Sequence, residues 1–255
     1  MIAWALMQVP MWTIDYAYLP TIDASIHGHI LSWADTRALA MLGTPSGHTI
    51  WFVNVRDSQR TRMQALEAAG FADQANVAND PWRKVFLKRT PHAPIPSGAP
   101  PTGITIRPLA GLNEVDAYVD LHRAAFGSTN MTHEWRSRVL RRPEYRADLD
   151  LVAVTEEGQL VGFCVGWFDA AGTNGQPCGQ IEPMGVHPAF QRRGLGRALL
   201  VEALQRFYRA GAAAVDVEAD ETNGGAMACY QSVGFQIADR VLVCRKDYSN
   251  AMEAT

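Results

Sequence analysis

The most constraining stretch of this sequence is Ile181–Leu200, IEPMGVHPAFQRRGLGRALL, because it dictates a strand, a glycine-bearing turn and a helix in that order. A half-polar strand pattern runs to Val186, and His187-Pro188 breaks it. After Gln191-Arg192-Arg193-Gly194-Leu195-Gly196-Arg197, apolar residues recur at helical spacing: Leu195, Leu199, Leu200, Ala203 and Leu204. A helix start of this kind leaves several backbone N–H groups unpaired at the positive end of the helix dipole. It is a natural anion site. Gly194 and Gly196 lack a Cβ and let an anion approach the backbone, while Arg192, Arg193 and Arg197 add cationic donors. The stretch reads as a pyrophosphate cradle. The bland alternative is a helix that starts with Gly-x-Gly and carries surface arginines.

Two common phosphate loops are excluded. A Walker loop ends in Gly-Lys-Ser/Thr, whereas Arg197-Ala198 follow Gly196 here. A dinucleotide fingerprint needs a third glycine, which is absent. At 255 residues the chain holds one large or two small domains, and 47% hydrophobic with 19% charged residues is a soluble globular composition. A net charge of −3 gives no sign of general nucleic-acid binding. The cysteines, Cys164, Cys178, Cys229 and Cys244, have no metal-ligand spacing, so free thiols and no metal are expected. The apolar opening Met1–Trp12 lacks a basic leader and a small-residue cleavage site and is too short to cross a bilayer. The expectation is a cytoplasmic protein with no membrane partner.

Residues 90–103 contain five prolines and two glycines, which resist both helix and ladder pairing. This reads as an extended linker between domains 1–89 and 104–255. The second domain reads as mixed α/β. Strands are predicted over 104–108, 149–155, 160–168, 180–186, 213–218 and around 241–245. Helices are predicted over 112–126, 132–145, 195–211 and 225–232, with Thr132 as a cap and Trp135 on the inner face of its helix.

The motifs resemble those of the GCN5-related N-acetyltransferase family. Gln191–Gly196 match its Q/R-x-x-G-x-G/A loop, and Val186-His187-Pro188 match the V-x-P before it. Asn223, Tyr230, Gly234 and Phe235 follow its later N-x-x-A-x-x-x-Y-x-x-x-G-F, with Ala226 or Met227 near the small position. The resemblance covers roughly residues 102–250 and implies the family's acyl-coenzyme A N-acyltransferase fold.

An internal repeat occupies the first domain. A shift of 168 sets Pro20 on Pro188, Gly28 on Gly196, Leu31 on Leu199 and Gly43 on Gly211. A shift of 164 then sets Val53 on Val217, Met63 on Met227 and Gly70-Phe71 on Gly234-Phe235. This copy reads as a partial, degenerate half domain. Ile26 stands for Gly194, Ala24 and Ser25 for the arginines, Gln59 for Asn223 and Leu66 for Tyr230. The arrangement resembles tandem acetyltransferases of the mycothiol synthase kind, cut short, with an edge that needs cover from the second domain or another subunit.

The resemblance implies acetyl-coenzyme A as co-substrate. Gln191, Arg192, Arg193, Gly194, Leu195, Gly196 and Arg197 would hold its diphosphate, and the backbone of Met184, Gly185 and Val186 its pantetheine arm. Tyr230 matches the proton donor to the departing thiolate. Asn223 matches a residue that bonds the pantetheine arm, and it also fits a helix cap. Glu182 and Glu218 are the candidate bases, with a relayed water as the alternative. By the two-residue period, Glu182 is placed on the face of Met184 and Val186. His187 reads as a surface residue, and Phe126, Trp135 and Tyr145 are candidates for an acceptor wall. The function implied is direct, ternary-complex transfer of acetyl to a primary amine of a small molecule, with a homodimer an open arrangement. The alternative is an acyl-coenzyme A sensor, or a scaffold, without turnover.

Overall fold

In the computed structural model the described residues are 2–252, apart from Pro10, Pro20, Asn79, His92 and Asn174. The equivalence of Pro20 with Pro188 therefore lies outside the described residues. The chain forms two compact units. One is Met1–Val85 with Asp220–Thr222 and Asp239–Thr255, and the other is Phe86–Ala219 with Asn223–Ala238.

In the first unit, β1 (Ala3–Gln8) and β2 (Thr13–Tyr18) form an antiparallel hairpin. α1 (Ile26–Met41), β3 (Ile50–Arg56), α2 (Arg60–Ala68) and the short β4 (Ala72–Asp73) follow. β2 runs parallel to β3 but pairs with it only at Thr13 and Phe52. The core gathers Ile14, Leu31, Ala34, Trp51, Val53 and Leu66, all within 1% of full burial. Each large apolar side chain buried in this way contributes about 1.5–3 kcal/mol. The repeat is legible in these bounds: α2 shifted by 164 falls on 224–232, and β3 on 214–220.

The second unit begins with the end of β5 (Lys84–Arg89). Its sheet runs from β6 (Ile104–Pro108) through β7 (Asp150–Thr155) and β8 (Leu160–Thr173) to β9 (Gln176–Val186), each antiparallel to the last. Between β6 and β7 come α3 (Val115–Phe126) and α4 (His133–Val139). α5 (Leu195–Arg209), β10 (Ala214–Asp220) and α6 (Gly224–Ser232) complete it, with β5 beside β10. The α/β class with a mixed sheet is as the sequence reads. No helix among the described residues is long and apolar enough to cross a membrane.

The closing strands fall differently from the sequence reading. β5 counts in sequence with the first domain, yet Phe86–Arg89 belong to the second unit. β11 (Gln236–Asp247) counts with the second domain, yet its residues from Asp239 belong to the first. There Val241–Asp247 pair antiparallel with β3, Val241 opposite Arg56 and Asp247 opposite Ile50. A strand edge needs a partner, and here β3 takes one from the far end of the chain.

The proline-rich stretch is irregular, as its composition requires, but it is anchored. Arg89, 1% exposed, donates to the carbonyls of Thr90 (3.2 Å), Ala93 (2.9 Å) and Pro94 (3.1 Å) and to that of Val233 (2.6 Å). Farther along, a Cβ on Gly98 would lie 2.6 Å from Val201 Cγ2 of α5. A helix also differs from expectation: α4 turns Arg136 inward (1% exposed), while Trp135 is 43% exposed. The buried carboxylate of Asp150 pairs with Arg136 there, so the inward position on α4 is taken by the guanidinium and not the indole. Thr132 caps α4 as predicted, accepting from Trp135 N at 3.1 Å.

Candidate active site

Two strands that separate create the crevice. β9 pairs in parallel with β10 only where Cys178–Gln180 face Ala214–Asp216, and beyond that point each runs on without the other. A bulge in β9 sets which side chains face where. Gly166 pairs with Ile181 and Cys164 with Met184, so three steps on β9 match two on β8. Met184 and Val186 therefore share the face of Ile181, toward α5. Glu182 lies with Gln180 on the opposite face, and Gln180 Nε2 donates to its carboxylate at 2.7 Å. The period-two placement of Glu182 beside Met184 is thus corrected: the inserted residue reverses the alternation. Parallel pairing of Gln180 with Asp216 puts Glu218 on the same face as Glu182. Both are exposed.

At the end of β9 the loop folds back, with Gln191 Nε2 donating to Val186 O at 3.1 Å. Arg192 (φ 61°) and Gly194 (φ 81°) both adopt left-handed backbone on the way into α5. The first helical bond is Ala198 N to Gly194 O. Among the described residues, the amides of 192–197 find no acceptor in the protein. Nothing lies within 4 Å of a Cβ built on Gly194, so the space beside that residue is open. Alternating left-handed residues that aim successive amides at one point form an anion nest. Arg192 and Arg193 are exposed beside it, Arg193 at 5.3 Å over the Phe190 ring, and Arg197 donates to Ser97 O at 3.2 Å.

Gly196 and Gly185 have other reasons to be glycine. A Cβ on Gly196 would meet Cys229 Sγ at 3.2 Å and Met184 Cε at 3.6 Å, so its role is the close seating of α5 on α6 and β9. A Cβ on Gly185 would meet the Phe163 ring at 2.6 Å and Ala125 Cβ at 3.0 Å, so packing from α3 already demands a glycine there.

α6 and its cap carry two further predicted residues. Asn223 accepts from Ala226 N at 3.0 Å and is the helix cap. Tyr230, 6% exposed, packs edge-on to Phe235 at 5.8 Å. Its hydroxyl has no hydrogen-bond partner among the described residues, and burial pushes its pKa up, so it remains a neutral O–H donor. Burial likewise raises the thiol of Cys229, with Arg197 opposing, which leaves a protonated packing residue. His187 Nδ1 accepts from Ala189 N at 3.2 Å and shapes the turn before the loop. Tyr145 donates to Asp150 at 2.8 Å, a structural bond, whereas Phe126 and Trp135 are exposed. Sequence reasoning missed His122 and Trp167, whose Nε1 donates to Glu182 O at 2.8 Å. His122 was findable, since it lies four residues after Tyr118 and four before Phe126 on one face of α3.

The first unit repeats the layout with the cradle closed. Ser25 N donates to Asp23 Oδ1 (2.8 Å), Ile26 N to Asp23 O (3.1 Å) and His27 N to Ala24 O (3.2 Å). The N-cap of α1, Ser25, is right-handed, whereas that of α5, Gly194, is left-handed. His27, 1% exposed, bonds Tyr16 Oη at 3.0 Å and Tyr18 Oη at 2.9 Å, filling the space between helix and strand.

The second unit thus combines a mixed sheet opened between two strands, free amides at a helix start and the buried phenol of Tyr230. Residues 115–235 match the acetyltransferase (GNAT) family. The mycothiol acetyltransferase of Salinispora arenicola is 34% identical over 155 residues, covering 58% of this chain and 50% of that protein. That of Frankia alni is 32% identical over 170 residues, covering 62% of this chain and 51% of that protein. The chain thus spans about half the length of the curated relatives it matches. A GCN5-related N-acetyltransferase from Sphaerobacter thermophilus superposes with a TM-score of 0.72 at 22% identity, covering 96% of this chain and 76% of that one. A tandem GNAT protein from the clavulanic acid biosynthesis pathway gives 0.65 at 14% identity, over 93% and 75%. Both likenesses are of fold, and the fold is the tandem one.

Proposed function

We propose that this protein is an N-acetyltransferase that moves an acetyl group from acetyl-coenzyme A directly to a primary amine of a small molecule. The observation that carries the reading is the run of unpartnered amides at 192–197, opening on unfilled space at Gly194. A doubly charged diphosphate fits that donor set better than any neutral group. Gln191, Arg192, Arg193, Gly194, Leu195, Gly196 and Arg197 would hold the diphosphate, the free edge of Met184–Val186 the pantetheine arm, and the side chain of Asn223 the same arm beside its capping bond. Acetyl-coenzyme A supplies the thioester.

The residues then divide the work. The strand edge orients the thioester for attack, which lowers the entropic part of the barrier. As the amine nitrogen bonds to the carbonyl carbon and the carbon–sulfur bond breaks, Tyr230 gives its hydroxyl proton to the leaving thiolate. Glu182 or Glu218, on the face opposite α5, takes the proton the amine must lose, directly or through water. The reading places the protein in the cytoplasm, in keeping with its free cysteines.

Calorimetric titration with acetyl-coenzyme A comes first, followed by a panel of primary amines with the acetylated product detected by mass. Deacetylated mycothiol heads the panel because the relatives carry that name. Saturable binding and at least one acetylated amine are expected. No binding would overturn the cradle, and binding with no turnover across the panel would leave a sensor.

A further inference from the structure

The two faces of the crevice differ in what they leave open. On the α5 face Ile181, Val215 and Val217 are buried, and Met184 and Val186 pack toward Gly196. On the other face Gln180, Glu182 and Glu218 are exposed, so that side is open to an incoming molecule. α3 borders this open face, because Ala125 and Phe163 meet at Gly185. His122 projects from the same side of α3. Its ring is stacked on Phe163, with centroids 5.5 Å apart and planes 17° apart, and lies 4.7 Å from Phe126.

Although His122 as a whole is half-buried, its Nδ1 is enclosed and has no hydrogen-bond partner. Burial, and secondarily the charge of Arg136, holds its pKa below the ordinary histidine value. The neutral ring has one N–H to place. On Nδ1 it would be an enclosed donor without an acceptor, in the field of a guanidinium. The lone pair therefore belongs on Nδ1 and the proton on Nε2.

We infer that His122 is a positioning residue whose Nε2–H, held in an aromatic slot on the open face, donates a hydrogen bond to an oxygen of the acceptor. An N–H donor cannot serve the reacting amine, whose lone pair is committed to the thioester. The acceptor class is therefore an amine with a hydroxyl or carbonyl oxygen close to its nitrogen, and plain alkylamines are disfavoured. This rests on the acetyltransferase reading above.

The test compares two isosteric amines, ethanolamine and propylamine, as acceptors with the full-length protein and acetyl-coenzyme A. Wild type is expected to favour ethanolamine in kcat/KM by roughly tenfold or more, the worth of one hydrogen bond to a well-placed donor. His122→Phe keeps the stacked slot and should bring the ratio near one, with acetyl-coenzyme A affinity and melting temperature unchanged. His122→Gln, whose amide nitrogen reaches the Nε2 position, should restore most of the preference. A ratio unchanged in His122→Phe, or rescue by His122→Asn in place of His122→Gln, would overturn the assignment. Failure of the acetyltransferase reading shows separately, as no acetyl-coenzyme A binding by wild type.

Discussion

Gly194→Ala tests the cradle most directly, because the structure separates its local cost from its effect on binding. Gly194 has φ 81° and no atom within 4 Å of a built Cβ, so alanine meets no clash. It pays only for a left-handed backbone, about 1–2 kcal/mol. That loss leaves a domain folded, since typical stabilities are about 5–15 kcal/mol. The new methyl enters open space on the turn that carries the free amides, and the proposal expects it to crowd the diphosphate. Each hydrogen bond from an amide to a charged oxygen contributes about 1.5–3 kcal/mol. Losing two weakens binding by about 3–6 kcal/mol, roughly two to four decades in Kd. Gly196→Ala is the control on the same turn. Its Cβ meets Cys229 Sγ at 3.2 Å, so its cost is packing, and affinity should fall far less. Calorimetry with acetyl-coenzyme A and thermal melts of both variants give the comparison. A Gly194→Ala protein that melts slightly early and binds like wild type would refute the cradle.

Tyr230→Phe should lower kcat by about a hundredfold or more while acetyl-coenzyme A affinity holds. Because burial raises this phenol above its ordinary 10.0, the donor stays protonated as pH rises through that value. An alkaline limb at or below pH 10 that disappears in Tyr230→Phe would contradict the upward shift, and turnover unchanged in Tyr230→Phe would overturn the donor assignment. Acetyl-coenzyme A should bind once per chain, since Asp23 and the backbone already take up the amides at the start of α1, and a calorimetric stoichiometry of two would overturn that view. Arg136→Met strands Asp150, which is 0% exposed, and should destabilise the protein by about 3–5 kcal/mol in urea unfolding. Burial already raises the Asp150 pKa, so the deficit should widen as pH climbs above the ordinary aspartate value of 3.8. A loss under about 1 kcal/mol would mean the pair is compensated elsewhere.

What the sequence made legible depended on local pattern. The turn at Gly194, the cap at Thr132 and the repeat through α2 and β3 rest on residues close together in the chain, where spacing and turn chemistry decide. Arg136 was not legible because its burial depends on Asp150, fourteen positions on and reached only through the fold. The exchange of Phe86–Arg89 and Asp239–Asp247 between units is likewise invisible, since a strand's pattern records that it pairs and not with whom. Glu182 shows the sharpest limit. Period-two reasoning placed it with Met184, but one extra residue between Ile181 and Met184 reverses every facing assignment across it. The consequence is chemical. With the bulge, both candidate carboxylates stand on the face opposite α5, the side that α3 borders. The irregularity that defeats the sequence pattern is therefore what sets both carboxylates on the face proposed for the acceptor, away from the one proposed for the coenzyme.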